Sequence, residues 1–197
     1  GSALSLIDSV EPVDVAIFSP PYPNSFDYTD IYNIELWALG YLKTRSEDRA
    51  LRLSTLRSHV QVDLEKRGST PDSKGLRSVI RKLERARKTL WDSRLPEMVN
   101  GYFSDLSTLL KGLKTKLRDE GETFIIVGDS SYNGIVVDVA LILAETAAYH
   151  GYKVVSSTML RRMRKSAQQG GELHLGEYVL RLRLPKRPVK GRSQASS

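Results

Sequence analysis

The sequence predicts an α/β fold in which helices cross over a sheet. Short apolar, β-branched runs at 13–18 and 123–127 are typical of buried strands. Longer stretches with helical periodicity separate them, and the order strand, helices, strand, helix, strand, strand is typical of a sheet with helical crossovers. At 197 residues the chain is long enough for one domain that carries an insertion.

The first half of the chain predicts one strand followed by helices. A helical turn over 3–9 leads into the strand at 13–18, which ends in a stiff Ser-Pro-Pro turn. Apolar residues every three or four positions predict a helix over 30–42, and a more polar helix is predicted over 44–65. The segment 67–75 has the composition of a mobile connection.

The second half predicts helices around a second buried strand and a pair of strands near its end. The helix at 76–91 has an apolar face opposite a basic stripe. The elements that follow are a long helix over 97–118, the strand at 123–127, a loop over 128–134, an apolar helix over 135–150, and strands at 152–157 and 177–184. The chain is divided into 3–42, a basic helical insertion over 43–95, the rest of the sheet over 96–184, and a disordered basic tail over 185–197.

Two basic blocks carry the net charge of +7 and the isoelectric point near 9.6. Residues 43–95 hold fifteen Lys or Arg against seven Asp or Glu, and residues 161–192 hold ten against two. Such a block can be a solvated surface, but two of them favour a nucleic-acid partner. The side chains predicted to contact the nucleic-acid backbone are Arg77, Arg81, Arg85, Lys88, Arg161, Arg162, Arg164 and Lys165.

Several classes of protein are disfavoured by what the sequence lacks. It has no cysteine, which excludes disulfides, thiolate catalysis and cysteine-based zinc sites. Its three histidines have no metal-ligand spacing, so no metal is expected. No apolar run is long enough for a membrane span and no signal peptide is recognisable, so a cytoplasmic location in a bacterial or archaeal cell is expected.

The residues that carry chemistry are Ser19, Pro20, Pro21 and Tyr22, which follow the strand at 13–18. Two prolines supply no backbone donors, so this corner presents a hydroxyl and carbonyl oxygens as acceptors. Tyr22 adds a flat apolar face beside them. Acceptors next to an aromatic face suit the exocyclic amino group of an extruded nucleobase. A plain rigid turn, or a proline-rich ligand for another protein, is the alternative for such a motif alone.

In this context the motif resembles that of the DNA amino-methyltransferases, [D/N/S]-P-P-[Y/F/W] at the end of their fourth strand. Residues 121–130 resemble the family's fifth strand and its loop, and 152–157 and 177–184 its closing antiparallel pair. The resemblance implies a partial Rossmann-like methyltransferase sheet and S-adenosylmethionine as methyl donor. Ser19 and the Pro20 carbonyl would bind the target amino group next to the methionine part of the cofactor, and Tyr22 would stack on the base. Asp129 and Ser130 would form a wall of the base pocket.

One family feature is missing from the chain. Nothing matches the Asp-Pro-Phe-x-Gly-x-Gly-like cofactor loop, so a cofactor-binding half is expected either on a separate subunit or on a removed segment. In the family that the motif resembles, serine at the first motif position favours cytosine over adenine as target, so the resemblance implies cytosine. A non-catalytic DNA-binding module and an RNA or protein amino-methyltransferase remain alternatives. Tyr28 and Trp37 are expected to be core residues.

Overall fold

The strands form a four-stranded sheet and a separate hairpin. The computed structural model describes residues 2–24, 26–62, 64, 70–163 and 175–186. The strands are β1 (Val13–Phe18), β2 (Leu117–Gly128), β3 (Ser130–Tyr132), β4 (Ile135–Val137), β5 (Lys153–Arg162) and β6 (Gly176–Arg183). The sheet has the order β1-β2-β6-β5, with β1 parallel to β2 and the other neighbours antiparallel, while β3 and β4 form the hairpin. The expected mixed α/β fold and its antiparallel strand pair are therefore present.

Seven α-helices lie in the described residues. They are α1 (Ala3–Leu6), α2 (Tyr28–Ile31), α3 (Asn33–Ala38), α4 (Arg45–Ser54), α5 (Lys74–Ala86), α6 (Leu95–Lys116) and α7 (Val139–Tyr149). The long helix α6 starts with Pro96 in its first turn, where the missing backbone donor costs nothing. Asp138 caps α7 by accepting from the Leu141 amide at 2.9 Å. No helix in the described ranges has the length and apolar character needed to cross a bilayer.

The core lies between the helices and one face of the sheet. Helices α6 and α7 both contact β2, and α5 packs against α6 and α7. Alternate residues of the two central strands, Ile125 and Val127 on β2 with Leu180 and Leu182 on β6, point into this core and are fully buried. The apolar face predicted for 76–91 is confirmed at Leu76, Val79 and Leu83, so α5 belongs to the same core as the sheet.

Strand β1 is at an edge of the sheet, and the prediction that it is buried was wrong. Val15 is 49% exposed and Ile17 is 70% exposed, although parallel strands are usually covered on both faces. Every residue of β5, the other edge strand, is exposed as well. The helices that cover the sheet lie on its other face, so the side of β1 that carries Val15 and Ile17 is open in the described part of the chain.

The segment after the motif differs from the single helix predicted over 30–42. It forms α2 and α3 with a break at Tyr32, and the polar helix predicted over 44–65 is α4, which ends at Ser54. Of the apolar positions that predicted this helix, Ile31 and Ile34 are 47% and 81% exposed, whereas Leu42 is buried. Periodicity identifies an apolar face but not what it packs against.

The loop predicted over 128–134 and the helix start at 135 were also wrong. Asn133 and Gly134 both have positive φ, 48° and 77°, and connect β3 to β4 in a tight hairpin. The helix begins only at Val139. The segment 67–75 was predicted to be a mobile connection, but α5 already begins within it, at Lys74. Residues 67–69 lie outside the described part of the chain. The predicted disordered tail lies outside it from residue 187 onward.

Candidate active site

The two candidate motifs meet at one edge of the sheet. Because β1 and β2 are parallel neighbours, their carboxyl ends lie side by side, with Phe18 opposite Ile125. The hydroxyl of Ser19, the residue after β1, donates to the Ile126 carbonyl at 3.0 Å. Ligands in open α/β sheets bind at this end of the strands. Ser19–Tyr22 and the Gly128–Ser130 segment therefore follow two neighbouring strand ends.

Tyr22 is the best-anchored residue of the motif. Its hydroxyl donates to Glu177 Oε1 at 2.7 Å. Its ring lies directly on Gly128, since a Cβ atom at Gly128 would be 2.7 Å from Tyr22 Cε2. Burial, followed by the hydrogen bond to Glu177, raises the pKa of the phenol to about 12. The ring is thus neutral at physiological pH and held from two sides.

Glu177 was missed by the sequence analysis. It lies on β6 directly opposite Gly128 on one neighbour and Arg161 on the other. Arg161 Nε lies 2.7 Å from Glu177 Oε2, and hydrogen bonds from Arg161 and then Tyr22 lower the pKa of the carboxyl group. Nothing in the local sequence marks this glutamate, because Tyr22 is 155 positions away.

Asp129 connects three elements at the same edge. Its side chain is buried and accepts from the Val139 amide at 3.1 Å and the Gly176 amide at 3.2 Å. Burial raises the pKa of this carboxyl group to about 6. The neighbouring Ser130 is fully buried, and its hydroxyl has no hydrogen-bond partner among the described residues. Asp129 therefore ties the end of β2 to α7 and β6, and a role of either residue in a base pocket stays a prediction.

A cavity of about 350 Å³ lies beside the first three motif residues. Its lining is almost entirely apolar and contains no ionisable side chain. The lining residues are Ala3, Ile7, Phe18, Ser19, Pro20, Pro21, Leu56, Leu109 and Leu113. Ser19 supplies the one hydroxyl of this lining, so the cavity is suited to an apolar or weakly polar group.

The segment after the motif is fixed by polar contacts and exposes its aromatic residues. Asp27 is buried, pairs with Arg52 Nε at 2.9 Å, and caps α2 through the Thr29 amide. Tyr28 and Trp37 are 40% and 39% exposed, so the prediction that they are core residues was wrong. The other exposed large apolar residues of this segment are Phe26, Ile31, Tyr32, Ile34, Leu39 and Tyr41.

The predicted phosphate contacts fall on two elements. On α5, Arg77 pairs with Asp72, while Arg81 and Arg85 are exposed one and two turns further on. Lys88 follows in the short 3₁₀ turn after the helix and is exposed.

On β5, the Arg161 side chain is 72% exposed but pairs with Glu177, and Arg162 is exposed. The predicted Arg164 and Lys165 lie outside the described residues. Within the described ranges no cluster of three or more His, Cys, Asp or Glu is arranged to hold a metal ion.

Comparison with known proteins identifies DNA methyltransferases as relatives. Over 176 residues the chain is 29% identical to the Type II methyltransferase M.AvaI of Nostoc sp. strain PCC 7120 and to that of Anabaena variabilis. The match covers 85% of this chain but 36% of each relative, so the chain spans about a third of their length. No protein-family model matches the sequence. The curated homologues are thus DNA methyltransferases, and the resemblance seen in the motif extends over most of the chain.

A solved structure of a candidate DNA modification methylase from Thermus thermophilus also aligns with the chain. The alignment covers 96% of this chain and 54% of that one, with 14% identity and a TM-score of 0.43. A score below 0.5 does not establish a shared fold.

Proposed function

We propose that this chain is the target-base-binding part of a DNA methyltransferase that methylates the exocyclic amino group of cytosine, or of adenine. The observation that carries the proposal is Ser19-Pro20-Pro21-Tyr22 at the carboxyl end of β1, packed against the end of β2. The similarity of 176 residues to Type II methyltransferases supports methyl transfer as the reaction.

We assign roles in base binding to Ser19, Pro20 and Tyr22. Ser19 is exposed and keeps its oxygen lone pairs available, because its hydroxyl is the donor in its bond to Ile126. With the Pro20 carbonyl it would accept the hydrogens of the target amino group and orient the nitrogen lone pair. Tyr22 would stack on the extruded base. The chain has no cysteine nucleophile, which favours direct attack by an amino nitrogen over methylation at a ring carbon.

S-adenosylmethionine is the methyl donor that such a reaction uses, and the described residues do not fit all of it. The cavity beside Ser19 and Pro20 lacks the charged side chains that would hold the ammonium, the carboxylate and the ribose of that cofactor. These two residues would contact only the part near the transferred methyl group. We therefore propose that a second part, on a partner subunit or elsewhere in a longer polypeptide, binds the rest.

Two exposed apolar surfaces of this chain support the proposal of a second, cofactor-binding part. The backbone edge of β1 that is free in the described part of the chain can pair with a further strand. The exposed face of β1, which carries Val15 and Ile17, can be covered by further helices. The exposed aromatic segment over 26–41 contains acidic residues but no Lys or Arg, so it is unsuited to DNA phosphates. Exposed apolar patches of this kind are typical of protein interfaces.

A methyl-transfer assay with labelled S-adenosylmethionine and duplex DNA of mixed sequence tests the proposal. We expect negligible methylation by the purified chain and activity once the cofactor-binding part is present. Nucleoside analysis of the product should give N4-methylcytosine or N6-methyladenine. Robust methylation by the chain alone would contradict the need for a second part, and 5-methylcytosine would contradict the amino-group chemistry.

A non-catalytic DNA-binding module is the second candidate, and the exposed basic stripe of α5 favours it. Ser19→Ala and Tyr22→Ala separate the two candidates in the assembled enzyme. Loss of methylation with DNA binding retained supports catalysis, whereas unchanged methylation in both variants assigns the activity to other residues. Parallel assays on RNA and on protein substrates test the remaining classes of acceptor.

A further inference from the structure

We propose that Glu177 is a positioning residue that fixes the plane of the Tyr22 ring before the target base arrives. The inference rests on the proposed function, in which this ring is the stacking surface. Glu177 contacts neither the base nor the cofactor in this proposal and acts through Tyr22. Glu177 lies at the start of β6, whereas Tyr22 follows β1, so the two residues come from different strands of the sheet.

The ring is held at two points by neighbouring strands. Its hydroxyl is 2.7 Å from Glu177 Oε1, and its Cδ2 and Cε2 edge lies on the backbone of Gly128. Gly128 and Glu177 are cross-strand partners in the β2–β6 pair, so both contacts come from one rigid piece of sheet. Rotation of the ring about its Cβ–Cγ bond would drive it into Gly128, and a swing of the whole side chain would break the bond to Glu177.

Arg161 strengthens the bond between Glu177 and Tyr22. It is the cross-strand partner of Glu177 on β5, with its Nε 2.7 Å from Oε2. This pairing leaves Oε1 to accept from the phenol, although the Arg161 Nη2 atom also lies 3.3 Å from it. Arg161 holds the pKa of Glu177 below its ordinary value, so the carboxylate is charged at neutral pH and accepts strongly.

A ring fixed in advance loses little rotational freedom when a base stacks on it. Ordering one side chain on binding typically costs enough to change affinity or rate by up to about tenfold. Glu177→Leu should therefore weaken productive base binding by about tenfold, and Glu177→Gln, which keeps an oxygen in place of Oε1, should recover most of it. Glu122→Leu is the matched control, because Glu122 pairs with Arg181 at 2.7 Å and with Arg183 on the same sheet but does not contact Tyr22.

Nuclear magnetic resonance of ring-labelled tyrosine in the purified chain tests the positioning of the ring without any substrate. Tyr22→Phe identifies the Tyr22 signal. We expect Glu177→Leu to lower the Tyr22 pKa and to increase the motion of the whole side chain about its Cα–Cβ bond, Glu177→Gln to lower the pKa with that motion still restrained, and Glu122→Leu to change neither. Unchanged Tyr22 signals in Glu177→Leu would overturn the proposal.

Steady-state methylation by the complete enzyme then tests the positioning role of Glu177 separately from the proposed function. Glu177→Leu should lower kcat/KM for DNA about tenfold, leave the KM for S-adenosylmethionine unchanged, and be rescued by Glu177→Gln. An active enzyme whose rate depends on Tyr22 but not on Glu177 would overturn positioning alone. A wild-type enzyme without methylation would overturn the proposed function, while the resonance result would still decide whether Glu177 fixes the ring.

Discussion

Replacing Gly128 with alanine tests how tightly the motif loop packs on the second strand. The added Cβ would lie 2.7 Å from Tyr22 Cε2 and 2.8 Å from Cδ2. Carbon atoms in contact prefer about 3.5–4.0 Å, so the ring must retreat by about 1 Å. That movement is more than the 2.7 Å hydrogen bond to Glu177 can absorb. Overpacking of this size costs about 1–3 kcal/mol, and we expect Gly128→Ala to lower the free energy of unfolding by about 2 kcal/mol.

Urea denaturation followed by circular dichroism measures this loss, and a double-mutant cycle assigns it. In a Tyr22→Ala background the clashing ring is absent, so Gly128→Ala should cost at least about 1 kcal/mol less than in the wild type. Met163 Sδ is also 2.7 Å from the added Cβ, but it is the flexible end of a side chain and can turn away. An equal loss in both backgrounds would refute the contact between Tyr22 and Gly128.

Three further predictions concern stability. Asp105→Ala leaves the buried Arg57 guanidinium without the carboxylate that lies 2.6 Å from its Nη2, and thermal or urea denaturation should show a loss of about 3–5 kcal/mol. Gly134→Ala places a side chain at φ 77° in the β3–β4 hairpin and should cost about 1 kcal/mol by the same measurement, whereas no change would contradict the hairpin geometry. Asp129 has a folded pKa of about 6, raised by burial above its unfolded value, so its contribution to stability is present below pH 4 and is lost as pH rises through 6. Allowing for partial screening, the stability advantage of wild type over Asp129→Asn should shrink by about 2 kcal/mol between pH 4 and pH 7, and a constant difference would contradict the raised pKa.

The parts of the fold that the sequence predicted are those with strong local signals. The strand at 13–18 and the core of β2 were predicted from β-branched runs, and the apolar face of α5 from its helical period. The position of the motif at a ligand-binding edge follows from one general rule, that open α/β sheets bind ligands beyond the carboxyl ends of their strands. The sequence analysis assigned Ser19 and Tyr22 to one site because they belong to the same motif, without knowledge of their contacts.

The predictions that failed concern which surfaces pack against the rest of the chain and which strands become neighbours. Ile17 and Ile34 are apolar and in regular elements, yet they are exposed because nothing in the described part of the chain packs on them. The Asn133-Gly134 turn was a readable hairpin signal that was assigned to a loop. Glu177 carries no local signal at all, since its contact with Tyr22 arises only where β6 lies next to β2.

The parallel pairing of β1 with β2 has a consequence for the order in which the molecule folds. Ser19 and Ile126, which this pairing brings together, are 107 positions apart, so the pair closes one of the longest loops in the chain. Closing such a loop is slow compared with forming helices such as α5 and α6 from local contacts. During synthesis β1 leaves the ribosome long before its neighbour and waits with both edges unpaired. Strand β1 therefore waits through a longer stretch of chain for its native partner than β2 or β5 wait for β6, and for that interval it is exposed to pairing with other molecules.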